Sequence, residues 1–253
     1  EGLHLRAARW LLDDHAPQQA LQQLDDLPKG TARRIQALRL RLQAARQLER
    51  LEMALETGRA LVRHKAFSPE ASQVLMARLA SDMIASASDP EQLLRMWSQL
   101  EADERQQPEV ALQAAQRMVQ LGGSAAQARA WLLPVWERYA QNPQALTAAQ
   151  RSSLLATLDG TASGDIETAW LERIEQAHLR HPQQAPLCYL MGMVCMQRQL
   201  WGKAQQLLRQ AVRDLQGEPV LLRNAWRALA LLAEQHGDVD EAAAAWKQAA
   251  LVD

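Results

Sequence analysis

Seven side chains that can hold a soft metal or a haem iron lie close together in the sequence: His178, His181, Cys188 and Cys195, with Met191, Met193 and Met196 among them. Imidazole, thiolate and thioether are the usual donors for such ions. Their spacing argues against the assignment, because the chain has no Cys-x-x-Cys-His attachment motif and no paired zinc spacing. On one helix, two cysteines seven residues apart have Cα atoms about 10.5 Å apart, beyond the ~7 Å that a disulfide spans. Two unbridged thiols fit burial or a reducing compartment. Acidic pairs occur at Asp13-Asp14 and Asp25-Asp26, in the setting of helix ends or solvated faces. No nucleophile elbow, phosphate loop or metalloprotease helix motif is present. The expectation is a chain that is not an enzyme and carries no cofactor or metal.

The elements that position these residues follow from composition. Ala and Leu number 45 and 41, against 10 Val and 4 Ile, in a chain of 253 residues. Ala and Leu favour helices, whereas strands favour β-branched and aromatic residues, so the chain is read as all-α. Basic and acidic residues nearly cancel, 28 against 29, without the basic excess that phosphate neutralisation demands of nucleic-acid binders. No apolar run reaches the 18 residues that suggest a membrane span. The chain starts at Glu1 with no signal-peptide pattern, and is expected to be a soluble piece of a longer protein.

A repeat organises the helices. Small or apolar residues recur at Ala20, Ala54, Leu93, Ala128, Ala169, Ala204 and Ala242, at intervals of 34 to 41 residues. The clearest units pair Met191-Gly192 with Ala204, Leu208 and Ala211, and Trp226 and Leu229-Ala230 with Ala242, Trp246 and Ala249. This is the pattern of tetratricopeptide hairpins, in which two helices approach closely only where side chains are short. Punctuation agrees: Asp89-Pro90 provides a cap and a first-turn proline, and Gly122-Gly123-Ser124, Gly164-Asp165 and Gly237-Asp238 provide stops followed by caps. Pro69, Pro108, Pro143, Pro182 and Pro219 fall between hairpins. The expectation is about fourteen helices in about seven hairpins, forming one right-handed superhelical solenoid over 1–253, with a possible break in 141–163. In that register Cys188 and Cys195 face the interior, and Trp97, Trp131, Trp170, Trp201, Trp226 and Trp246 pack the hairpins.

The same register assigns residues to a concave groove. It places there Arg9, Arg39, Arg46, Arg78, Arg117 and Arg227, with Gln36, Gln43, Gln113, Asn224 and Gln235, against only Asp13, Asp82 and Glu234. Arginine forks hold carboxylates through paired hydrogen bonds, so the fitting ligand is an acidic segment or free C-terminus of a partner protein.

The run Gln199-Leu200-Trp201-Gly202-Lys203-Ala204, preceded by Leu190-Met191-Gly192, resembles the C-terminal tetratricopeptide region of HemY-type bacterial inner-membrane proteins. So do Ala37 to Leu42, Lys65 to Pro69 and Ala130 to Glu137. The resemblance implies a protein held at the bacterial inner membrane by N-terminal helices outside this chain, with the cytoplasmic side favoured. It also implies association with a late step of protohaem synthesis, as a scaffold for other proteins that include haem-synthesis enzymes. The alternative is a tetrapyrrole-binding carrier or regulator that uses His178, His181 or a groove lined by methionines.

Overall fold

The computed structural model describes residues 2–161, 167–215 and 217–252. Among them are sixteen α-helices, one short 3-10 helix and no strand. Two of the helices, α3 (Lys29–Ala32) and α8 (Ala102–Arg105), are single turns; the other fourteen have nine residues or more. The chain divides into two compact units, Glu1–Gln113 and Ala114–Asp253.

In the first unit, α1 (Gly2–Asp13), α2 (Pro17–Asp25) and α4 (Ile35–Gln47) enclose a core of Ala8, Leu12, Ala20, Leu21, Leu24, Leu27, Ala37 and Ala44. Next along the chain come α5 (Leu51–Arg63), α6 (Pro69–Ala85) and α7 (Pro90–Gln99), each packed on the one before. The packing is close: a Cβ on Gly58 would lie 2.7 Å from Leu79 Cδ1. Arg59 on α5 donates to the buried Glu104 of α8, 2.5 and 2.8 Å away, and to the Gln99 carbonyl. The same carboxylate caps α8 by accepting from the Glu101 backbone N–H.

The second unit begins within α9 (Pro108–Gln120) and continues through α10 (Ala125–Gln141), the 3-10 turn 143–145 and α11 (Ala148–Thr161). After it come α12 (Thr168–Arg180), α13 (Ala185–Gln197), α14 (Trp201–Asp214), α15 (Pro219–His236) and α16 (Val239–Leu251). The tightest pairs are α13 with α14 and α15 with α16, and both turn on small residues. Ala204, Ala211, Ala242 and Ala249 are buried, and a Cβ on Gly192 would lie 2.8 Å from Leu208 Cγ. Trp136 meets Tyr139 and Trp170 edge to face, with centroids 5.9 Å apart in each pair.

Two expected core positions shift. Ala169 is exposed and the neighbouring Trp170 is buried in its place, because the indole fills space against Trp136 that a methyl group leaves empty. On α16, Ala245 takes the buried position and Trp246 lies outside, 38% exposed, donating its indole N–H to Glu234. The expected stop at Gly164-Asp165 lies outside the described residues. Helix α11 packs on α10, α13 and α15, so it reaches beyond its nearest neighbours in sequence.

Among the described residues, six helices end in the same way. In each, a residue with left-handed backbone follows the last turn, and the next N–H bonds back five residues. The left-handed residues are His15, Glu49, Lys65, Gly122, Gln199 and Gly237. The closing bonds include Ala16 N–H to Leu11 O at 2.8 Å and Leu200 N–H to Cys195 O at 2.9 Å. This motif satisfies carbonyls that the helix end would otherwise orphan. Asp89 caps α7 in the complementary way, accepting from the Gln92 N–H at 2.7 Å.

Only Gly122 and Gly237 are glycines; Gln199, at φ 59, bears the steric strain of a side chain there. Replacing Gln199 with Gly is expected to stabilise the chain by about 1 kcal/mol. Chemical denaturation checks this, and an unchanged or lowered midpoint contradicts it.

Candidate functional site

The face shared by α13 and α15 combines chemistry with open space. On α13, Tyr189, Met193 and Met196 follow one another at i, i+4 and i+7, and on α15 Asn224 and Leu231 stand seven apart. Residues so spaced lie on one side of a helix. At the start of this face α11 is docked through polar side chains. The Tyr189 hydroxyl donates to Asp159 Oδ2 at 2.8 Å, and Asn224 also hydrogen-bonds Tyr189. Arg151 donates to Glu218 Oε1 at 3.1 Å while the Ser152 hydroxyl donates to Oε2 at 2.8 Å, so both oxygens of this buried carboxylate are held.

Further along, the same face is open. A groove of about 470 Å³ is lined by Met193, Met196, Gln197, Trp201, Leu231, Glu234 and Gln235. Leu231, 45% exposed on α15, lies beside Met193, Met196 and Trp201 in this lining, so the exposed apolar surface is contiguous rather than a lone side chain. The floor is apolar and deformable, since methionine is unbranched and its sulfur polarisable. Gln197, Glu234 and Gln235 offer polar groups around it.

The residues expected to line a basic groove are distributed as follows. Arg9 on α1, Arg39 and Arg46 on α4 and Arg78 on α6 are exposed, all in the first unit. Arg39 is partly engaged: it donates to the Ala66 carbonyl at 3.2 Å, and its guanidinium lies 5.5 Å from the Phe67 ring centre. Arg78 lines a groove of about 380 Å³ with Gln73, Val74, Ala77, Ser81, Gln107 and Glu109. In the second unit Arg117 is half-buried and donates to Gln120, Arg227 is exposed, and Asn224 is half-buried at Tyr189. Trp201 and Leu231 line the groove without belonging to the expected set; the signal in the sequence is that Leu231 lies seven residues beyond Asn224 on the same helix.

Burial also governs the candidate metal donors. It raises the pKa of both cysteine thiols, and Cys188 Sγ donates to the Pro182 carbonyl at 3.4 Å. Burial, and then the charge of Lys203, lower the pKa of His178, whose Nδ1 is buried with no hydrogen-bond partner among the described residues. Among the described residues no group of three or more His, Cys, Asp or Glu is arranged to hold a metal ion.

No protein-family model matches the chain, and no curated protein is similar to it.

Burial raises the pKa of Asp159, an effect that the Tyr189 hydrogen bond opposes. A carboxylate whose folded pKa is raised contributes stability fully present below its unfolded pKa, about 4, and lost as pH rises through the folded value. Asp159→Asn keeps an acceptor for Tyr189 and cannot ionise. Its melting temperature relative to the parent is expected to be highest at pH 7 and to fall towards the parent's as the pH drops to 4. A difference independent of pH in thermal melts contradicts this account of the α11 contact.

Proposed function

We propose that the chain is a protein-interaction module, built of tetratricopeptide-like hairpins stacked as a right-handed solenoid, and that its role is to hold partners. The supporting observation is the α13–α15 face, which seats one helix, α11, over its first half and leaves the second half open as a methionine- and tryptophan-lined groove. A surface that already accommodates a helix suits a further helix presenting apolar anchors at i, i+3 or i+4, and i+7. The exposed arginines of the first unit add the means to hold an acidic segment.

The resemblance to HemY-type proteins gives this module its setting. In that reading the longer protein is tethered to the bacterial inner membrane through a segment outside this chain, and it gathers enzymes of late protohaem synthesis. No helix among the described residues is long and apolar enough to cross a membrane, so within them tethering needs a segment elsewhere.

A photo-crosslinking residue at position 231, placed in the full-length protein in its native membrane, tests the groove. The expected product is a discrete protein adduct that disappears when Met193 is also replaced by Glu, with an unchanged melting temperature in the purified chain. A haem titration runs beside it. No adduct at position 231, together with a sharp Soret change that is lost when His178 and His181 are both replaced by Ala, transfers the reading to a tetrapyrrole carrier.

A further inference from the structure

Helix α16 has two apolar faces. One, formed by Ala242, Ala245 and Ala249, is buried in the chain's own interior. The other, Val239, Ala243, Trp246 and Ala250, is exposed along its whole length, with Val239 77% exposed. The spacing of this second face, 4, 3 and 4 residues, is that of a two-helix seam. Trp246 is held in place on it by the 2.7 Å hydrogen bond from its indole N–H to Glu234.

The charges beside the seam say which surface fits it. Asp240 and Lys247, both exposed, follow Val239 and Trp246 by one residue and flank the same edge. In an antiparallel pair about a two-fold axis, Val239 faces Ala250 of the second copy and Trp246 faces its Ala243, so large residues meet small ones. The flanking positions then face their own kind across the seam, which places Asp240 beside the second copy's Lys247, and Lys247 beside its Asp240. A parallel pair would instead set Asp240 level with Asp240 and Lys247 level with Lys247. Two-fold interfaces are self-complementary in this sense, each residue meeting its counterpart twice.

We infer that this chain associates with a second copy of itself through α16, antiparallel, along the Val239–Ala243–Trp246–Ala250 seam. One helix stripe buries less than the roughly 800 Å² per partner of a stable interface, so the dimer is dissociable and its population rises with concentration.

Sedimentation velocity over a range from micromolar to several hundred micromolar tests the seam. The parent is expected to pass from monomer to dimer. Ala243→Glu, on the exposed face, is expected to stay monomeric with unchanged helix content and melting temperature. Asp240→Lys and Lys247→Asp are each expected to weaken association about three- to tenfold, from the loss of two surface ion pairs, and their combination to restore it. A parent that stays monomeric, a dimer that tolerates Ala243→Glu, or a double exchange that restores nothing would overturn the inference; the first result leaves α16 free for a different partner or a neighbouring segment.

Discussion

The second unit rests on how near two helices can come. At Gly192 the backbone of α13 approaches Leu208 of α14 so closely that even a methyl group would overlap Leu208 Cγ, at 2.8 Å. Buried Ala204 and Ala211 on α14, and Ala242 and Ala249 on α16, provide the same short reach in each of the last two hairpins. Dispersion falls off within an ångström of contact, so tight pairing compensates for the small apolar area each alanine brings. It also fixes the line of α13 and of α15, and with them the face on which α11 sits and beside which the groove opens.

On that face the chain uses two kinds of adhesion. The α11 half is polar: Glu218 accepts from Arg151 and Ser152, and Asp159 from Tyr189. A buried charge pair of this sort adds little net stability over an apolar equivalent, but breaking it leaves a charge stranded, which favours one register for α11. The open half is apolar, with Met193, Met196 and Leu231 offering contact and few directional bonds. A polar half that seats the chain's own α11 and an open apolar half thus lie end to end on the same pair of helices. The buried Tyr139 hydroxyl belongs to this region and has no hydrogen-bond partner among the described residues; burial raises its pKa.

Local signals were legible in the sequence. Asp89-Pro90 capped a helix where expected, Gly122 and Gly237 adopted left-handed backbone, and the alanines of the last two hairpins are buried. Such features depend on a few neighbouring residues. His15, Glu49, Lys65 and Gln199 take the same left-handed conformation without glycine's signature, so nothing in their identity announced the turns. The shift from Ala169 to Trp170 and the outward turn of Trp246 were decided by what stands opposite, Trp136 in one case and Glu234 in the other. The contact of α11 with α15 joins Arg151 to Glu218 across 67 residues, a separation at which periodicity carries no information. The exposure of Arg9, Arg39, Arg46, Arg78 and Arg227 follows from their helical register, whereas the engagement of Asn224 with Tyr189 depends on the fold.

The close approach of α13 and α14 is open to a double-mutant cycle at Gly192 and Leu208, followed by chemical denaturation. Helix propensity alone makes Gly192→Ala stabilising by about 1 kcal/mol. Close approach makes it destabilising instead, and makes the double variant with Leu208→Ala more stable than the sum of the single changes by about 1 kcal/mol or more. A stabilised Gly192→Ala variant, or strict additivity, would contradict the constraint on which the α13–α15 face depends.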